Sequence, residues 1–234
     1  MKKLILSVMM LAAAFVCRAQ GTLSASGERS EWLPSFTSIV AEGPFDIVLV
    51  GVPDSVAPKV VYDTKGSYTT RFRAEVKDRV LHIREKADAR RPDRTQVRVC
   101  YNTMRTLDVT DSDVSFADTV SQPMLDVTVA GYGNLSGKLD VKDLDMNVSG
   151  HSTVMLSGRV RYLTLFVSSG KVDAVALETM SARVNVQSNA SVTLNVTDRL
   201  EGRTSTGGII RYKGEPAILR NAMKFMAGDI KPLE

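Results

Sequence analysis

The feature that most constrains this chain is a short hydrophobic pattern that keeps returning from Leu107 to the end. LDVT begins at Leu107 and again at Leu125, LDMN at Leu144 and LTLF at Leu163. ARVN follows at Ala182, LEGR at Leu200 and LRNA at Leu219. Successive starts lie 18, 19, 19, 19, 18 and 19 residues apart. A period this short, carried by alternating residues, is the mark of a solenoid.

Within the repeats the first, third and fifth residues are apolar, as in Leu125, Val127, Val129 and Leu144, Met146, Val148. Alternation places such residues on one face of a strand, pointing inward. Small residues come next, at Ala130-Gly131, Ser149-Gly150, Ser168-Ser169-Gly170, Ser188-Asn189 and Thr206-Gly207-Gly208. They read as turns. A second short strand often follows, as in Val154 and Leu156, so a coil has two main walls and a return bend. One coil cannot cover its own apolar side, but its neighbour can. Aromatic content is only 6%, which leaves Val, Leu and Ile to fill the interior. The expected fold is all-β: a parallel β-helix of about seven 18–19-residue coils over residues 105–234. Parallel crossovers are overwhelmingly right-handed, so a right-handed helix is expected.

Residues 35–104 read differently. FTSIVAEG and PFDIVLVG flank a turn, KVVYD follows, and RFRAEVKDRVLHIREK alternates on both sides of Lys77-Asp78, a hairpin signal. This is antiparallel strand chemistry, and the region is the expected cap for one open end. The mixed-charge segment Glu85–Arg94 is expected to be a solvated loop. Residues 20–34 are small and polar at first and serve as a lead-in, with Trp32 expected to tuck against the body.

Residues 1–19 read as a cleaved secretory signal: Lys2 and Lys3, an apolar run from Leu4 to Val16, then Cys17-Arg18-Ala19. Val16 before Cys17 departs from the small residue of a lipid-attachment motif, so an anchor at Cys17 is not expected. Removing Lys2, Lys3 and Arg18 leaves 27 basic against 26 acidic side chains, so the net charge gives nucleic-acid binding no support. Cys100 in QVRVCY is then alone and reads as a buried small hydrophobe. No later stretch is long and apolar enough for a transmembrane helix. The expected address is the periplasm or the outer cell surface.

The Ser-Gly turns after the apolar triads at Leu144 and Leu163, the pair FTSIVAEGPFDIVLV, and the closing run Thr206 to Pro216 with its Tyr-x-Gly-x-Pro ending carry a resemblance. The chain resembles the "putative auto-transporter adhesin, head GIN domain" family from Ser35 to about Lys231. That resemblance implies an exported bacterial β-solenoid with a cell-envelope address, and it offers no catalytic residues to transfer. The coils at Leu107, Leu125 and Ala182 depart from the Ser-Gly turn, so their turns are expected to bulge differently.

The second residue of each coil forms the candidate site: Asp108, Asp126, Asp145, Thr164, Arg183, Glu201, Arg220. In a parallel stack these would lie about 4.8 Å apart on the outside. Three successive carboxylates repel unless water or a cation screens them, and oxygen donors of this kind suit calcium. Calcium is the one cofactor this pattern brings up. Asp111 and Asp113 could enlarge the acidic patch or form the first turn. Paired carboxylates could also cleave a glycan, but a solvated polar face explains the column more simply. His82 and His151 are isolated, which gives neither a triad nor a zinc spacing. The leading expectation is a non-enzymatic, adhesin-like envelope protein that binds a cell-surface glycan or envelope protein along its side. The alternatives are a polysaccharide-active enzyme using the outward Asp residues and a structural periplasmic scaffold. Oligomeric state is not legible from the sequence.

Overall fold

The structure is a computed structural model, and it describes residues 27–65, 71–86, 93–225 and 228–233. The expected signal segment with Cys17, the turn at Gly66-Ser67 and residues 87–92 of the charged loop lie outside the described residues.

The N-terminal part contributes β1 (Arg29–Trp32), β2 (Ser38–Glu42), β3 (Phe45–Gly51) and β4 (Lys59–Asp63). The hairpin β5 (Arg73–Lys77) and β6 (Val80–Arg84) follows, then β7 (Thr95–Tyr101). Its turn holds Asp78 and Arg79 at φ 51° and 64°. Two positive-φ residues are what a tight, right-twisted hairpin requires. The repeats supply β8 (Thr106–Thr110), β9 (Asp113–Phe116), β10 (Val120–Ala130) and β11 (Asn134–Ser149). Then come β12 (Thr153–Ser168), β13 (Lys171–Gln187) and β14 (Ser191–Ser205). The chain closes with β15 (Ile209–Lys213), β16 (Ile218–Phe225) and β17 (Asp229–Pro232).

All of these join one sheet that coils into a parallel β-solenoid of about six turns, with antiparallel strands at its N-terminal end. The antiparallel pairs are β1 with β4, β4 with β7, and β5 with β6. Part of the N-terminal region is built into the stack itself. β2 lies in parallel between β6 and β8, and β3 lies in parallel between β7 and β9. The first coil in the sequence is therefore inserted between two later ones. The apolar alternation of β3, with Phe45, Ile47 and Leu49 all buried, matches that of the repeats, so the stack accepts it as another rung.

The repeat register follows the sequence pattern through most of the stack. Leu125, Leu144, Leu163, Ala182 and Leu200 are successive ladder partners, and none is more than 3% exposed. Each large aliphatic side chain buried this way contributes about 1.5–3 kcal/mol. Leu219 continues the row opposite Leu200 but is 41% exposed, because it stands at the end of the stack.

The expected return bend is a wall in its own right. In β11 the strict alternation breaks at Gly137-Lys138 and again at Lys142-Asp143. Paired non-buried residues mark corners, so each full turn has three walls: in β11 these are 134–136, 139–141 and 144–148. Gly158 shows why a corner needs glycine: its φ is +104°, and a β-carbon there would stand 2.0 Å from the Leu139 carbonyl oxygen.

Two smaller expectations meet the structure differently. Arg29–Trp32, read as part of the lead-in, forms an edge strand along β4. Trp32 is half exposed rather than tucked in, with the Lys59 ammonium 5.6 Å from its ring. Cys100 is buried, as its place in an alternating run requires.

Candidate binding surface

The outward column of the third wall follows from period-two alternation, which turns every second side chain to solvent. The ladder places Asp126 beside Asp145, then Thr164, Arg183, Glu201 and Arg220 in order. Asp108 is not in this row. Its partners are Thr128 on one side and Val40 on the other. The two LDVT segments are two residues out of register, since Leu107 pairs with Val127. A shift of two keeps every apolar residue inward, so the hydrophobic pattern is blind to it. Asp126 and Asp145 alone come together from the expected three. Burial, and then the charge of Asp126, push the Asp145 carboxyl above the usual carboxylate range.

Asp111 and Asp113 serve the first turn. Asp111 adopts φ 59°, and its Oδ1 accepts the Tyr132 backbone N–H at 3.0 Å. Asp113 accepts from Asn134 Nδ2 at 2.6 Å and pairs with Arg94. Arg94 also donates to the Asp111 carbonyl at 2.7 Å and lies 3.5 Å from Asp46. Gly131 must be glycine here, since its φ is +73° and a β-carbon would meet Asp111 Oδ1 at 2.1 Å. Among the described residues no three His, Cys, Asp or Glu side chains gather as metal ligands. The histidines stay apart: His82 lies between Val40 and Glu75 in the sheet, while His151 stacks on Tyr132 with ring centroids 5.1 Å apart.

Further along the third wall the charge changes sign. Glu201 is held by Arg199 at 3.0 Å, Arg183 at 3.4 Å and Arg220 at 3.8 Å. Desolvation pushes this carboxyl up, but the Arg183 hydrogen bond and the charges of Arg199, Arg183 and Arg220 outweigh it and hold the group below its ordinary range.

A concavity also lies on the second wall, the segment expected to be a return bend. A groove of about 700 Å³ crosses the rungs there. Asp140, Arg159 and Glu178 are successive ladder partners on its floor, and Lys142, Arg161 and Met180 line it as well. Arg159 pairs with Asp140 at 3.4 Å, and Lys142 lies 3.9 Å from Asp143. Among the described residues Arg161 has no ion pair. The signal for this column was present in the sequence, since Asp140, Arg159 and Glu178 are spaced by 19 residues.

Residues 35–216 match the family model described as "Putative auto-transporter adhesin, head GIN domain". No curated protein matches at a significant level. Three solved structures share the fold. A "putative adhesin" from Bacteroides fragilis is similar with a TM-score of 0.80 at 20% identity, over 88% of this chain and 96% of that one. A "Putative lipid binding protein" from Parabacteroides distasonis gives a TM-score of 0.67 at 16% identity, over 88% and 96%. A "putative adhesin" from Parabacteroides merdae gives 0.65 at 15% identity, over 88% and 95%.

Proposed function

The chain belongs to the "Putative auto-transporter adhesin, head GIN domain" family, and from that premise we propose that it is an exported, non-enzymatic envelope protein whose second wall binds an extended acidic glycan. The observation that carries this reading is the groove itself. It runs across stacked rungs, and Lys142, Arg159 and Arg161 meet an incoming ligand there, with Arg161 uncommitted to any described carboxylate. Rungs about 4.8 Å apart repeat at close to the length of one sugar unit, so a linear polysaccharide can present a carboxylate or hydroxyl to each rung. Contacts of this kind are shallow and polar, and they gain strength by repetition.

The test is titration calorimetry of the purified chain with oligogalacturonate and, as a neutral control, oligomannose. The acidic sugar should bind with a salt-dependent affinity, and Arg161→Glu should weaken it by about tenfold or more. No binding of the acidic sugar, or equal binding of both, rejects the reading. Shortening of the oligosaccharide, abolished by Asp126→Asn in a chain that stays folded, would replace it with the enzymatic one. Protease shaving of intact cells, with a periplasmic control, tests the address: loss of the chain while the control survives places it outside.

A further inference from the structure

The third wall carries opposite charges at its two ends. Its outward side chains on β10 and β11 include Asp126, Asp143 and Asp145. Those on β13, β14 and β16 include Arg183, Arg199, Arg203 and Arg220. Glu201 is the acid among them and is already held by three of the four arginines. Between the two halves lies β12, whose outward residues are Tyr162, Thr164 and Phe166. Tyr162 is 44% exposed, and Phe166 is half-buried. An aromatic rung flanked by an acidic field on one side and a basic field on the other is complementary to itself.

We propose that this wall docks a second copy of the chain, turned by half a turn about an axis along β12, so that the acidic rungs of each copy face the basic rungs of the other. The operation keeps positions along the strand and exchanges rungs on either side of β12. It sets Asp145 opposite Arg183 of the second copy, and the reverse, giving the paired contacts of an isologous interface. It sets Asp126 opposite Glu201 of the second copy, a carboxylate already held by Arg183, Arg199 and Arg220 and flanked along the strand by Arg199 and Arg203, and it sets Phe166 and Tyr162 against their own equivalents. Two copies stacked in the same direction would instead place Asp145 on Asp145 and Arg183 on Arg183. Charge therefore chooses the antiparallel arrangement.

The size of the wall sets the strength. Six rungs, β10 to β14 and β16, at about 4.8 Å and a usable strand length of about 18 Å cover roughly 500 Å² on each partner. Standard stable interfaces bury about 800 Å² a side, so the association should be reversible and depend on concentration and salt. It does not use the second-wall groove, so it stands whether or not that groove binds a glycan.

The test is sedimentation velocity of the purified chain over a concentration series, at low and high salt. A dimer that forms at low salt and dissociates at high salt is expected. Asp145→Arg and Arg183→Asp should each weaken self-association by about tenfold or more, because each sets like charges opposite one another. An equimolar mixture of the two variants should recover the dimer. The arginine introduced at position 145 of one copy then faces the aspartate introduced at position 183 of the other, and the second contact is the native pair. That recovery also shows that both variants are folded. A chain that stays monomeric at low salt, a dimer indifferent to Asp145→Arg, or folded variants whose mixture fails to associate would each overturn the proposal.

Discussion

The carbonyl oxygen of Leu139 occupies the space where Gly158, its ladder partner on the next rung, would carry a β-carbon. The separation would be 2.0 Å, with Gly158 held at φ +104°. This corner is where the first wall turns into the second, so it fixes the path of the chain into the groove. Gly158→Ala adds backbone strain and a clash with main chain that cannot swing away. It should cost about 2–4 kcal/mol in urea unfolding. A loss below about 0.5 kcal/mol would show that the corner relaxes freely.

Asp111 behaves as a turn former. Its carboxylate satisfies the Tyr132 N–H, and its φ of 59° is one that Asp and Asn tolerate. Asp111→Asn should leave stability almost unchanged, while Asp111→Ala should cost about 1–2 kcal/mol. Chemical denaturation of the pair measures the difference. Equal losses in both would mean that charge, rather than the acceptor and the conformation, is what matters at this site.

Asp145 is strained by burial and by its neighbour Asp126. A carboxylate whose folded pKa is raised contributes stability below its unfolded value and loses that contribution as pH rises through the folded value. Asp145→Asn should therefore stabilise dilute protein at neutral pH, by about 0.2–1 kcal/mol for an exposed like-charge pair. The gain should vanish below the ordinary carboxylate range, where the wild-type group is already protonated. Thermal melts across the acid range check the sign, and destabilisation at neutral pH would contradict the assignment. Glu201 has the opposite dependence: its lowered pKa gives stability above the unfolded value that is lost as pH falls through the folded one.

Tyr101 is buried at the end of β7, and desolvation, then the charge of Asp118, push its phenol up to about 12. It should resist ionisation well after exposed tyrosines have titrated, as read by near-ultraviolet absorbance. By the same linkage its contribution is intact below about pH 10 and is lost between there and about pH 12, a change of about 2–3 kcal/mol. Tyr101→Phe should remove that part of the alkaline loss. A titration in which every tyrosine ionises together, with the fold intact, would refute the burial effect.

The groove is partly legible in the sequence. Its Asp140-Arg159-Glu178 column has the repeat spacing, yet it falls where the apolar alternation is too brief to announce a wall. Only the hydrogen-bonded ladder from Leu139 to Val141 shows that the segment belongs to the sheet.

The solenoid is legible in the amino-acid pattern, because apolar residues at every second position, repeated at nearly one coil length, can be buried only by stacking. The order of the column from Asp126 to Arg220 was also legible, at spacings of 18 or 19 residues. The burial of Cys100 follows from the same alternation. That Asp108 stands beside Thr128 emerges only in the folded chain, since shifting a strand by two residues leaves every side chain on its own face. So does the insertion of β2 and β3 between coils that come later in the chain. Alternation says which side of a strand is buried, whereas the neighbour is chosen by backbone hydrogen bonds, which are the same at every residue and leave no trace in side-chain identity.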